Sequence, residues 1–197
     1  YLFKLINTKG TIYTNHFSGG SSEDFIAFDF LSSFVKFFNN TVIMGEGSRV
    51  YWGFKITDDS GSGIINNILL RKTDIPAGSA FVMKRSSEVE ILSNNIFGWS
   101  NILETEDKTL KNSDDLNKTD GLPFGGNVNG NVSESFTNTF KVSKTGELTL
   151  NEVSLCVDGG YDVRIYGGPD TDWQGQKRPN PNHGLRPAYD IGADEFY

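Results

Sequence analysis

The chain has 197 residues, of which 37% are hydrophobic and 22% charged, and its formal net charge is −7. This length and composition suit one domain with a sizeable core. The acidic balance argues against a nucleic-acid partner, because such binding draws on a positive surface. The single cysteine excludes an internal disulfide, and no apolar run is as long as a membrane span.

The first hundred residues predict short strands that recur in a fixed order. A first strand is expected at 2–6, 25–30, 50–56 and 80–85, and two further short strands follow it each time. Alternation along the first strand predicts an apolar column on one face and a charged column on the other. The apolar column would contain Phe3, Phe28, Phe54 and Met83, and the charged column Lys4, Asp29, Lys55 and Lys84.

An asparagine recurs between the second and third strands at intervals of 25, 27 and 28 residues. Its four occurrences are Asn15, Asn40, Asn67 and Asn95. Asparagine tolerates the left-handed conformation of a tight corner, and its amide can hydrogen bond to the asparagine of the next coil. The repeat therefore predicts a structural ladder of asparagines.

Three strands per repeat of this length predict an all-β fold, a right-handed parallel β-helix of about four coils. The coils are expected over residues 1–103, a polar surface excursion over 104–135, and a C-terminal β cap of the same domain over 136–197. The cap is expected to close the stack, because an open coil exposes core and unpaired backbone. For the same reason, further coils or another domain of the same protein are expected before the first coil.

Three elements of the last third follow one another at residues 154–160 (SLCVDGG), 172–179 (DWQGQKRP) and 190–196 (DIGADEF). They resemble the Ser-Pro-Ala-Ile-Asp-Ala-Gly, Asp-x-x-Gly-x-x-Arg and Asp-Ile-Gly-Ala-x-Glu elements of bacterial right-handed β-helix proteins of the pectate-lyase-like superfamily. Leu155 and Cys156 depart from the usual Pro and Ala. The resemblance implies a secreted or cell-surface bacterial protein concerned with polysaccharides or adhesion, without implying one activity.

Acidic residues are frequent in these elements, at Asp158, Asp190, Asp194 and Glu195. Oxygen ligands at this density can bind calcium, but the spacing matches no calcium loop. We therefore predict no metal or cofactor site and interpret these residues as structural. Asp158 and Asp190 would accept backbone hydrogen bonds at tight turns, and Arg178 or Arg186 would pair with a carboxylate.

The charged column offers a candidate ligand site made of Lys4, Tyr51, Lys55, Lys84 and Arg85. In lyases of the superfamily that the chain resembles, the substrate lies beside this sheet and a basic residue removes a proton next to a carboxylate. Stacked lysines near an aromatic ring would suit an acidic sugar. The alternative is a solvated strand face, which Asp29 within the column favours.

The remaining reactive residue types indicate no catalytic motif. His16 and His183 have no Cys, Ser or second His at motif spacing, so zinc sites and nucleophilic triads lack support. Cys156 is interpreted as a small core residue. If exposed, Trp99, Trp173 and Tyr161 are candidates for stacking on a sugar.

Two functional hypotheses follow. The first is the C-terminal part of a secreted or surface β-helix that binds a polysaccharide or glycan, or acts as an adhesin. The second is the C-terminal portion of a polysaccharide lyase or glycoside hydrolase acting on an acidic polysaccharide, with most catalytic residues in upstream coils.

Overall fold

The computed structural model describes residues 2–19, 25–45, 50–58, 61–72, 76–85, 89–119, 128–181 and 188–196. Its first twelve strands form four successive sets of three. They are β1 (Phe3–Ile6), β2 (Lys9–Tyr13), β3 (His16–Gly19), β4 (Phe25–Leu31), β5 (Phe34–Phe38), β6 (Thr41–Met44), β7 (Val50–Thr57), β8 (Gly63–Ile65), β9 (Ile68–Arg71), β10 (Ser79–Lys84), β11 (Glu90–Leu92) and β12 (Asn95–Phe97). Among the described residues, no helix is long and apolar enough to cross a membrane.

Equivalent strands of successive sets pair in parallel and build three sheets. The first contains β1, β4, β7 and β10, the second β2, β5, β8 and β11, and the third β3, β6, β9 and β12. Each set is therefore one coil of a β-solenoid, stacked on the next at the interstrand spacing of ~4.8 Å. The predicted all-β parallel β-helix is confirmed.

A stack of phenylalanine rings runs through the core. The ring centroids of Phe28 and Phe54 are 4.8 Å apart and those of Phe54 and Phe81 are 5.5 Å apart, with nearly parallel planes. Fully burying each such side chain contributes about 1.5–3 kcal/mol. The predicted place of Met83 over Phe54 is wrong, because Met83 pairs with Ile56. The run from 80 to 83 is apolar throughout, so alternation alone does not fix its register.

The asparagine ladder forms, but its fourth member is Asn94. The backbone N–H and Nδ2 of Asn15, Asn40 and Asn67 each donate to Oδ1 of the asparagine in the next coil, at 2.9–3.1 Å. The predicted fourth member, Asn95, is one residue too late and pairs with Ile68 within the third sheet. In the doublet Asn94-Asn95 the first asparagine joins the ladder, whereas in Asn39-Asn40 and Asn66-Asn67 the second asparagine does.

The left-handed residue at this corner is the one before the ladder asparagine. Thr14, Asn39, Asn66 and Ser93 have φ between 49° and 57°. The prediction that the ladder asparagine itself adopts this conformation is therefore wrong. Its predecessor turns the chain, which leaves the asparagine amide to bond between coils.

The last coil is covered by β13 (Asn101–Glu104), β14 (Thr109–Leu110), α1 (Ser113–Asn117) and β15 (Val128–Asn129). Strand β13 continues the first sheet, and β15 continues the second. Leu110 and Leu116 are buried in the core, and Asn131 and Asn117 extend the ladder. The described part of 104–135 therefore covers the last coil with a few buried residues, while most of its residues lie at the surface or are only half-buried. Leu110 and Leu116 are apolar residues that close this end of the stack.

The C-terminal region contains α2 (Phe136–Thr139), β16 (Phe140–Val142), β17 (Leu148–Leu150) and a 3-10 helix (Val163–Tyr166). It packs along the outer side of the coils in two hydrophobic clusters. One joins Ile43, Ile68 and Leu70 to Phe140, Leu150, Cys156 and Ile191, and the other joins Phe38, Ile65 and Leu92 to Val163 and Tyr189. The described part of 136–197 therefore covers the outer faces of the second and third sheets.

Candidate functional site

The charged column predicted on the first sheet is of mixed sign. The pairing register places Lys4, Asp29 and Lys55 side by side, followed by Val82 and Glu104. Lys4 Nζ lies 3.7 Å from a carboxylate oxygen of the buried Asp29. Two acidic residues thus lie in the same column as the two lysines.

The other residues proposed for this face lie at its margin. Lys84 is opposite Thr57, two residues beyond its predicted place in the column. Arg85 forms an ion pair of 2.8 Å with Asp58. The side chain of Tyr51 lies outside the described residues. Among the described side chains, the proposed set does not gather into one basic surface.

A groove of about 670 Å³ opens on the side of the solenoid, where the end of β9, the residues around the end of β12 and the start of α2 meet. Two consecutive cations contribute to it, Arg71 and Lys72, together with the aromatic residues Phe97, Trp99 and Phe136. The hydroxyl groups of Ser133, Ser135 and Thr137 lie along the same lining. The described part of the lining contains no carboxylate.

Arg71 is held firmly in this groove. Only 5% of it is exposed, and its Nη1 donates to the carbonyl of Ala77 at 2.5 Å. Its guanidinium carbon lies 5.2 Å from the centre of the Trp99 ring, and the indole N–H donates to the carbonyl of Leu69. Burial lowers the pKa of Arg71 below its usual value. The guanidinium is thus a fixed group and not a mobile surface charge.

Lys72 supplies the second cation from a less buried position. Its Nζ lies 3.8 Å from the centre of the Phe136 ring, within the range of a cation–π interaction. Phe136 is half-buried and packs against Phe140 with ring centroids 5.5 Å apart. The contact with Phe140 therefore holds the Phe136 ring in place.

Flat apolar rings, hydroxyl groups and fixed cations in one concave surface suit a particular ligand chemistry. Aromatic faces pack against the C–H faces of sugar rings, and hydroxyl groups exchange hydrogen bonds with sugar hydroxyls. The half-buried Lys72 would pair with a carboxylate or sulfate. The groove is thus suited to a carbohydrate that carries acidic groups.

Sequence reasoning missed Arg71, Lys72 and Phe136. The available signal was two adjacent cations at the end of a buried strand, in a chain of strong negative charge. No sequence pattern predicts that Phe136 lies near these two cations, because Phe136 follows the irregular segment after the fourth coil.

The C-terminal acidic residues surround a buried arginine. Arg178 is 1% exposed, its Nη2 donates to the carbonyls of Gly192 and Asp194 at 2.9 and 2.8 Å, and its Nε lies 3.5 Å from Glu195. Desolvation raises the pKa of Asp190 and Asp194 to about 6 and that of Glu195 to about 7. This cluster lies away from the groove, inside the C-terminal region.

Hydrogen bonds of the same segment attach residues 188–196 to the solenoid. Asp190 accepts hydrogen bonds from the backbone N–H groups of Asp158 and Phe196, and its own carbonyl accepts one from Asn39 Nδ2. The N–H of Gly192 donates to the carbonyl of Asn66, and a Cβ at this glycine would meet Ile68 at 2.5 Å. Asp158 has a left-handed backbone, with φ of 55°. Within the described residues, no three His, Cys, Asp or Glu side chains are grouped to hold a metal ion.

Cys156 is fully buried in the cluster beneath the C-terminal region. Desolvation is the main reason that its pKa rises to about 12. We therefore expect the native protein to react very slowly with a thiol reagent at pH 8, because the thiolate is the reacting form. Labelling followed by mass spectrometry should show rapid modification only in urea. Rapid labelling of the native state would contradict this burial.

The other candidates occupy separate positions. The His16 ring lies against Trp173 at an interplanar angle of 53°, with ring centroids 5.3 Å apart, and desolvation lowers the pKa of His16. Trp173 and Tyr161 are 45% and 40% exposed, whereas Trp99 is buried at the base of the groove. His183 and Arg186 lie outside the described residues.

Comparison of the chain with protein-family models, with curated proteins and with solved structures found no match.

Proposed function

We propose that this chain is part of a secreted or cell-surface bacterial β-helix protein of the pectate-lyase-like kind and that it binds carbohydrate. The order of the three C-terminal sequence elements supports this proposal. Three of their polar residues, Arg178, Asp190 and Glu195, lie in one buried cluster, and the backbone N–H of Asp158 donates to Asp190. A shared structural use of these residues would explain why the three elements occur together.

The groove beside Phe136 carries the functional part of the proposal. It combines the Phe136 ring, the fixed Arg71 guanidinium and the Lys72 ammonium group in a concavity whose volume lies in the range of small-molecule sites. The chain as a whole is acidic, so a basic lining is a local departure from its surface charge. We take the ligand to be a polysaccharide or glycan with carboxylate or sulfate groups.

The test is calorimetric titration with acidic oligosaccharides, such as oligogalacturonates and sulfated oligosaccharides, and with neutral oligosaccharides of the same length. Saturable binding should weaken as salt is raised, because the cations contribute through charge. Lys72→Gln should weaken binding of the acidic oligosaccharides about tenfold, which corresponds to about 1.4 kcal/mol. Lys141→Gln, at an exposed lysine outside the groove, is the matched control and should bind normally.

A second variant separates the ring from the charge. Phe136→Ala should weaken the binding of acidic and neutral oligosaccharides to the same extent, because it removes the aromatic face on which a sugar ring would stack. Circular dichroism melting must accompany it, since Phe136 also packs on Phe140. No saturable binding to any oligosaccharide would overturn the proposal. Unsaturated or newly reducing products in the same mixtures would replace it with the lyase or glycoside hydrolase alternative.

A further inference from the structure

An exposed asparagine stands directly before a glycine in the segment that covers the last coil. Asn129 ends β15, and Gly130 follows it with φ of 67°. Both residues are exposed, whereas Asn131 beside them is buried. The backbone N–H of Gly130 donates to Oδ1 of Asn129 at 2.7 Å. The side-chain amide of Asn129 is therefore folded back onto the next peptide group.

This contact places a nitrogen beside an electrophilic carbon. Oδ1 of Asn129 is bonded to Cγ, so the nitrogen of Gly130 that lies 2.7 Å from Oδ1 is also close to Cγ. Glycine has no Cβ that would shield this nitrogen. A Cβ at Gly130 would meet Ser93 Oγ at 2.8 Å, so the fold itself requires glycine here. Groups held this close react more readily than the same groups on separate molecules.

From this geometry we infer that Asn129 is a site of spontaneous deamidation through a cyclic imide with Gly130. Hydroxide removes the proton of the Gly130 amide, and the nitrogen bonds to Cγ of Asn129. The bond from Cγ to Nδ2 then breaks, and Nδ2 takes up a proton from water and leaves as ammonia, which regenerates hydroxide. The product is a five-membered succinimide. This inference does not depend on carbohydrate binding.

Water opens the succinimide in two ways. Addition at Cγ breaks the new bond to the Gly130 nitrogen and gives aspartate, with the original backbone. Addition at the backbone carbonyl carbon of residue 129 breaks the original peptide bond instead. That product is isoaspartate, in which the chain runs through Cβ and Cγ and contains an extra backbone carbon.

The isoaspartate product would disturb the last step of the asparagine ladder. Oδ1 of Asn131 accepts hydrogen bonds from the backbone N–H and Nδ2 of Asn94, at 3.1 and 3.0 Å. Two residues earlier, the carbonyl of Asn129 accepts one from the N–H of Ser93 at 2.8 Å. An extra backbone carbon between these two anchoring points prevents both from keeping their present geometry. We therefore expect isoaspartate at position 129 to loosen the cover of the last coil.

Asn112 provides a control within the same molecule. It precedes Ser113, and its Oδ1 accepts a hydrogen bond from the N–H of Asp115 at 2.8 Å, while its Nδ2 donates to the Asp115 carboxylate at 2.8 Å. This amide caps α1 and is not folded onto the next peptide nitrogen. Asn112 should therefore stay unchanged in the folded protein while Asn129 reacts.

The test incubates the full chain at pH 8 and maps its peptides by mass spectrometry. Position 129 should gain the mass difference between an amide and a carboxyl group, and an isoaspartate-specific methyltransferase should label it. Conversion should be slower at pH 6, because the reacting nitrogen must lose its proton. Asn129→Gln should abolish the signal, since the longer side chain must form a larger ring. If position 129 stays asparagine in the folded protein while the urea-unfolded chain converts, the inference is overturned.

A second measurement tests the effect on the ladder. Ion exchange separates the converted protein, which carries an additional negative charge. Its isoaspartate fraction should melt about 4 °C or more below the fresh protein. Freshly prepared Asn129→Asp is the matched control, because it carries the charge without the extra backbone carbon, and it should melt within about 2 °C of the original chain. Equal melting temperatures for the isoaspartate fraction and the fresh protein would contradict the expected effect on the ladder.

Discussion

Replacing Asn67 by alanine is expected to lower the free energy of unfolding by about 3–5 kcal/mol. Asn67 is 1% exposed and lies in the middle of the ladder. Its Nδ2 donates to the carbonyls of Phe37 and Ile65 at 2.8 and 3.0 Å and to Asn94 Oδ1 at 3.0 Å. Its Oδ1 accepts two hydrogen bonds from Asn40. Alanine leaves several of these buried groups without a partner, and each such group costs about 1–3 kcal/mol.

Urea unfolding monitored by circular dichroism measures this effect. Asn15→Ala is the matched control, because Asn15 is exposed and has a ladder neighbour on one side only among the described residues. Asn15→Ala should lower the free energy of unfolding by less than about 1 kcal/mol. Equal losses for the two variants would mean that ladder hydrogen bonds add nothing beyond local turn geometry.

The solenoid was predictable because every coil repeats the same requirements. Ile12, Phe37 and Ile64 lie at one level of the second sheet, and the corner asparagine follows three residues after each. The errors concentrate in the fourth coil. There an apolar run leaves the register of Met83 and Lys84 undetermined, and the doublet Asn94-Asn95 does not reveal which asparagine joins the ladder. Local patterns fix the face of a strand but not its neighbour when both alternatives are apolar.

The sequence indicates that another segment must cover the outer face of the second sheet, but it does not identify that segment. Phe37 and Phe38, like Ile64 and Ile65, are adjacent apolar residues on opposite faces of one strand, so both faces of the second sheet had to be buried. The sequence does not say which segment covers the outer face. The groove depends on that answer, because Phe136 reaches Lys72 only when the C-terminal region lies against the third sheet. Long-range packing of this kind leaves no periodic trace in a single sequence.

The buried C-terminal cluster makes stability depend on pH. Arg178 is the cation that faces the carboxyl groups of Asp172, Asp190, Asp194 and Glu195. In an unfolded chain aspartate and glutamate titrate near pH 4. Desolvation raises the folded-state pKa of Asp190 and Asp194 to about 6 and of Glu195 to about 7. Between pH 4 and 7 the folded protein therefore binds more protons than the unfolded chain. The contribution of these groups to stability is therefore largest at and below about pH 4 and is lost as pH rises through 6 and 7.

Arg178→Met is expected to cost roughly 3–5 kcal/mol at pH 8, because it leaves buried carboxylates without their cation. The loss should be smaller at pH 5, where Asp190, Asp194 and Glu195 are largely protonated and need no compensating charge. Urea midpoints measured at pH 5, 6, 7 and 8 test both statements. Lys141→Met is the control, since its ion pair of 3.2 Å with Glu152 is exposed and should contribute little at any pH. A loss for Arg178→Met that is the same at every pH would assign the role of the guanidinium to packing rather than charge.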